Sequence, residues 1–167
     1  MNGFYGNLNN LTNRMAGLLI ENKDFLKYLY YTNDEPLNNP DVENPLEQVL
    51  NKKFFLQPKP SSPTTEEGVI VEMFLSGDNP ENANGGMFTD YVITFNVLCH
   101  LGTWGIKGGI RPYMIMGMID STFNNKNIKE ISFSKIRPLG SKYMQFENGW
   151  QGYKLAYVLS WNGNTMC

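Results

Sequence analysis

Histidine, cysteine and charge are all scarce in this chain, and each scarcity removes a class of function. There is a single histidine, His100, so any histidine-dependent acid–base or nucleophilic chemistry must run through that one side chain. Two cysteines, Cys99 in an apolar stretch and Cys167 at the last position, provide neither a disulfide framework nor the ligand set of a structural zinc site. Cys99 reads as a small buried hydrophobe. Charged residues are 18% of the 167, with a net charge of −2 and a pI near 5.4, so the concentrated basic surface that grips a phosphate backbone is missing. Passive contact with DNA stays open. No apolar run approaches the roughly 20 residues of a membrane span. The opening MNGFYGNLNNLTNR lacks the order of a signal peptide, and the expectation is a protein made and used in a cytoplasm.

Asparagine, glycine and aromatic residues are plentiful instead. A surface rich in neutral polar groups suits burial at interfaces, and the length suits one domain, residues 1–167. Its expected parts are a helical amino-terminal region (1–31), a long loop region (32–67), a sheet–helix core (68–161) with a projecting arm, and a tail (162–167).

The strongest signal is YVITFNVLCHLGTWGIKGGIRPYMIMGMIDSTF, from Tyr91 to Phe123. Tyr91, Ile93, Phe95, Val97 and Cys99 alternate with a mixed set, the pattern of a half-buried strand. Gly102, Gly105, Gly108 and Gly109 break it. From Arg111 the period becomes helical, with Met114, Ile115, Met118, Ile119 and Phe123 recurring, and Pro112 suits the first turn.

Upstream, Leu8 to Glu21 is an amphipathic helix broken at Asn22 and Lys23, and Asp24 is positioned to cap a second segment with Phe25, Leu26 and Leu29 facing inward. Thr32 to Asn44 reads as a loop, and Pro45 opens a helical candidate, PLEQVLNKK. After Phe54-Phe55-Leu56 comes a second irregular run. Gly68 to Ser76 is a strand. Gly77 to Thr89 joins two strands over a length far beyond a tight hairpin, so it should project as a mildly acidic arm. Downstream, EISFSKIR is a strand ending before Pro138, PLGSKYMQFENG a loop, and Trp150 to Trp161 a closing strand with Tyr153, Leu155, Tyr157, Leu159 and Trp161 on one face. The order implies an α+β fold: a four-stranded, largely antiparallel sheet with an amino-terminal and a central helix packed on one face.

A glycine loop opening a helix invites an anion, because helix starts present free N–H groups. The spacing does not fit: Gly102, Gly105 and Gly108 are three apart, and Lys107 is followed by Gly108 and Gly109, so neither the dinucleotide fingerprint nor a Walker A motif is present. His100 reads as a capping or packing residue, since its neighbour Cys99 must point to the opposite face of the strand. Asp41, Glu43 and Glu47, and Glu66 with Glu67, fall in loops or at helix starts, where acids suit the dipole. No catalytic, cofactor or metal site is expected. Arg111 and Asp120 lie at opposite ends of the central helix, each against its dipole, which makes them candidates for inter-element or inter-subunit salt bridges.

Taken in order, the amino-terminal helix, the strand–arm–strand unit, FNVLCHLGTWGIKGGIRPYMIMGMID and the closing GYKLAYVLSW resemble the tail terminator and neck (head–tail joining) proteins of long-tailed bacteriophages. The resemblance implies a non-enzymatic virion protein at the tail–neck junction, a hexameric ring that caps the tail tube and docks on the head-side connector. On this likeness the arm, with Asp78, Asn79, Glu81, Asn82, Asn84 and Met87, lines the ring lumen or reaches a neighbour, and DNA passes without specific binding. The longer Thr32 to Glu67 region departs from smaller relatives and leaves open a head-side stopper or another tail-completion subunit. Of a different class are a small nucleotide- or anion-binding enzyme using the Gly102 to Gly109 loop, and an adaptor that binds peptides along a sheet edge.

Overall fold

The computed structural model describes residues 4–58, 68–78, 89–129 and 134–161. Helix α1 (Phe4–Ile20) places Leu11, Met15 and Leu19 four apart on a fully buried stripe. It stops where Asn22 caps α2 (Lys23–Tyr30), its side-chain oxygen accepting from the Phe25 N–H at 3.1 Å. Asp24, the cap expected from the sequence, instead lies in the first turn, where a carboxylate still favours the dipole. Phe25, Leu26 and Leu29 face inward as the period requires, and Tyr28 joins them.

The helix expected over 45–53 is a single turn, α3 (Pro45–Gln48). Asn51 adopts a left-handed conformation, φ 59°, and sends the chain into β1 (Phe54–Phe55). Phe54 is fully buried, its ring edge-on to Phe25 at 5.7 Å.

The main strands are β2 (Val69–Asp78), β3 (Thr89–His100), β6 (Arg137–Gln145) and β7 (Trp150–Trp161). With β1 they form one five-stranded sheet in the order β1-β2-β3-β7-β6, antiparallel except for β1 beside β2. The α+β architecture stands as expected, with one strand more. The third expected strand is displaced: residues 134–136 lead into β6, which occupies most of the stretch read as a loop, and residues 130–133 lie outside the described set. Nearly every β6 residue is exposed, so no alternation marks it, and Pro138 is tolerated because an edge strand can lack an N–H on its open side. Buried Ile136 anchors its start through backbone bonds to Asn125 and Lys126.

One sheet face carries Val71, Met73, Ile93, Phe95, Val97, Leu155, Tyr157 and Leu159 against α1, α2 and α4 (Arg111–Phe123), which contributes Ile115, Ile119 and Phe123. Phe95 sits at the centre, stacked on Phe123 at 5.4 Å and edge-on to Tyr157 at 6.0 Å; such ring pairs contribute about 1 kcal/mol each beyond burial. On the other face Ile70, Leu98 and Trp150 form a smaller cluster. No helix among the described residues is long and apolar enough to cross a membrane.

Strands β3 and β7 pair without a break from Thr89↔Trp161 to His100↔Trp150. Gly152 makes this possible: a Cβ there would lie 1.8 Å from the Val97 carbonyl oxygen. Gly152→Ala is therefore expected to destabilise the fold by about 3 kcal/mol or more, read from the midpoint of urea unfolding. A change within a few tenths would show that the two backbones separate freely.

Candidate functional site

His100, the glycine loop and Arg111 come together where β3 ends and α4 begins. His100 turns the chain: its Nδ1 accepts from the Gly102 N–H at 3.2 Å, capping the 3-10 turn Leu101–Thr103, and its ring meets Trp150 edge-on at 6.0 Å. The glycine loop that follows is a small hairpin, β4 (Gly105–Ile106) against β5 (Gly109–Ile110), with Gly108 at φ 84° in its turn. Its tip docks on the 32–39 segment: the Lys107 N–H donates to Asp34 at 2.8 Å and Lys107 Nζ pairs with Glu35 at 2.5 Å. Between the two lies a cavity of about 170 Å³, lined among others by Tyr28, Asp34, Glu35, Ile106 and Lys107. The loop's one cation is already matched to a carboxylate and a second carboxylate borders the same space, which is poor chemistry for a phosphate.

Arg111 was a candidate salt bridge; it makes none among the described residues. Its side chain is fully buried, and all five N–H donors reach backbone carbonyls. Nε donates to Thr103 at 2.7 Å, one terminal nitrogen to Tyr28 at 3.1 Å and Tyr31 at 2.7 Å, and the other to Thr32 at 3.2 Å and to Asn33. A cation at the start of α4 opposes that helix's own dipole, but this one reaches the carboxyl end of α2, where unsatisfied carbonyls and the negative pole favour it. With no donor left over, Arg111 cannot serve a neighbouring subunit in this conformation. Burial lowers its pKa from the ordinary value.

Asp120 is also turned inward. It accepts from the Tyr157 hydroxyl at 2.9 Å and from the Asn124 amide at 3.1 Å, tying α4 to β7. Burial, then the hydrogen bond to Asp120, pushes the Tyr157 hydroxyl up. The backbone of Asp78 closes β2, while Asn79, Glu81, Asn82, Asn84 and Met87 of the expected arm lie outside the described residues.

An aromatic surface beside this junction is only partly legible in the sequence. Tyr113 on the outer side of α4 shares a hydroxyl–hydroxyl hydrogen bond with Tyr153 at 2.9 Å, and Tyr143 of β6 meets Tyr153 edge-on at 5.5 Å. Tyr113, Met114, Tyr143 and Ile110 are all exposed large apolar side chains. Tyr153 belongs to the aromatic face read from the alternation of β7; Tyr143 was hidden in an apparent loop, and Tyr113 falls outside the buried helical stripe. Exposed Tyr and Met on rigid elements suit protein contact, since such residues dominate the buried centres of interfaces.

Two measurements check this junction. Arg111→Met should cost about 3 kcal/mol or more in chemical denaturation, because five carbonyls lose their donors at once; a loss under about 1 kcal/mol would show that water replaces the guanidinium. Cys99, fully buried on β3, has its thiol pushed from 9.0 up to about 12 by burial. The folded chain thus keeps a proton that the unfolded chain gives up, so its contribution is intact below pH 9 and lost as pH rises toward 12. Tyr157, raised from 10.0, adds to the same alkaline loss. Cys99→Ala should flatten the part of the stability–pH curve that begins near pH 9; an unchanged curve would place the alkaline transition elsewhere.

The YomW family model matches residues 22–159, from the cap of α2 to the last turn of alternation in β7. No curated protein matches the sequence. Covering most of the chain, this match places the protein in the YomW family, a phage-associated family.

Proposed function

We propose that the chain is a structural virion protein of the tail–neck junction that forms a ring on the tail tube and joins it to the head-side connector, acting by shape and contact without catalysis. The observation that carries this reading is the exposed Tyr113–Tyr153–Tyr143 cluster held on a scaffold that Arg111 locks from within. A phage-associated family supplies the setting. Polar groups such as His100, Asp120 and Lys107 have structural partners in the fold, which fits a scaffold whose work is done at its surface. A head-side stopper or another tail-completion subunit would use the same features with a different neighbour.

The test is imaging of purified chain with tail tubes, beside the variant Tyr113→Ala/Met114→Ala. The wild type is expected to form rings on tube ends, and the variant to keep its melting temperature while its half-saturating concentration rises about tenfold or more. A strict monomer that never meets tubes overturns the proposal. So does nucleotide binding that Lys107→Ala abolishes, which would move the function to the glycine hairpin.

A further inference from the structure

The β6 edge of the sheet is basic, and the Glu43–Glu47 stretch beside the β1 edge is acidic. At one edge, β6 and its neighbour β7 contain Arg137, Lys142 and Lys154 and no acid between Arg137 and Gln145 or between Trp150 and Trp161; Glu147 lies in the connecting turn, and Asp120 meets β7 from the helix side. All three cations are exposed. Lys142 and Lys154 are direct cross-strand partners, an arrangement that repels internally and leaves both ammonium groups available to an outside anion. At the other edge, the stretch Thr32 to Gln48 carries Asp34, Glu35, Asp41, Glu43 and Glu47 and no lysine or arginine, and Lys52 and Lys53 follow it just before β1. Lys107 answers Glu35, and Lys23 and Lys27 answer Asp41, whereas Glu43 and Glu47 are exposed without an ion pair among the described residues.

Each edge also displays a large apolar side chain beside its charges. Leu46, between Glu43 and Glu47, is 63% exposed, and Leu139, between Arg137 and Lys142, is 57% exposed. These are the two most exposed large hydrophobic side chains in the described structure. The β6 edge is nevertheless poorly suited to adding another strand, because Pro138 has no N–H and the register shifts between Pro138 and Gly140. Contact there must be made by side chains.

We infer that the basic β6 edge of one copy packs against the acidic Glu43–Glu47 edge of the next, with Leu139 and Leu46 at the contact. The occupant is a second copy of this chain because the complementary charge and the complementary apolar residue occur together on the opposite edge of the same sheet. A two-fold pairing of either edge with itself would set like charges together; the head-to-tail arrangement does not, and repetition of a head-to-tail contact closes into a ring when its rotation closes. The inference deepens the ring reading proposed above and rests on it, with the tyrosine surface left to meet the tube.

Charge reversal tests it. One variant carries Arg137→Glu and Lys142→Glu, the other Glu43→Lys and Glu47→Lys, and assembly is measured by sedimentation in solution and by ring counts on tail tubes, with melting curves to verify folding. Each variant alone should need about tenfold or more protein to assemble. An equal mixture should regain wild-type assembly, because every reversed edge then faces its complement. If a reversed variant does not fold, Lys142→Gln and Glu47→Gln replace it, with smaller shifts in the same direction. Variants that assemble like the wild type, or a mixture of folded variants that regains nothing, overturn this interface while the ring reading stands. A wild type that assembles neither in solution nor on tubes removes both. Loss of duplex DNA binding by the first variant, with assembly unchanged, assigns the basic edge to nucleic acid and likewise overturns the contact.

Discussion

A guanidinium without a carboxylate holds the fold together. Arg111 joins the carboxyl end of α2, the chain just beyond it and the 3-10 turn after β3, and it does so from the first residue of α4. Burying a lone cation is tolerable only when every donor is met and the surrounding dipoles point the right way. Here both conditions hold, since all five donors are met and two of the carbonyls, those of Tyr28 and Tyr31, come from the end of a helix. Once this clamp is set, α4 has one orientation on the sheet, and Asp120 fixes its far end through Tyr157. The hairpin between His100 and Arg111 inherits its position from the same clamp and docks Lys107 on the 32–39 segment.

Rigidity at this junction bears on the surface beside it. Tyr113 is two residues from Arg111, and its partner Tyr153 lies on β7, the strand that Asp120 reaches. An aromatic surface on a helix and a strand that cannot shift against each other loses little conformational freedom when it meets a partner, which is the physical advantage of a preorganised contact. The charged edges differ in kind. Their side chains are long, solvated and set on the outermost strand and an irregular segment, so they contribute more to orientation and to the rate of encounter than to burial.

The parts of this fold that could be read in the sequence are those in which periodic burial leaves a trace. β3, β7, α4 and the stripe of α1 all carry it, and so does the break at Asn22. β6 leaves none, because a strand exposed on nearly all positions has no inside to alternate with. The role of Arg111 was half visible: its conflict with the dipole of α4 marked it as needing a partner, but the partners are main-chain oxygens up to 83 positions away, and a carbonyl has no identity in a sequence. The tyrosine cluster joins a helix, an edge strand and a penultimate strand, so its members are scattered among segments with no shared pattern.

The continuous ladder between β3 and β7 also dictates when this chain can fold. β3 lies at the centre of the sheet, and half of its backbone groups wait for a strand whose residues are about sixty positions downstream, as with Asn96 and Lys154. During synthesis the apolar face of β3 and its open edge must therefore be shielded until β7 has left the ribosome, because the intervening β6 cannot take its place without β7 between them. A translation product halted within β6 would present an unpaired central strand, the most adhesive surface a sheet protein can expose.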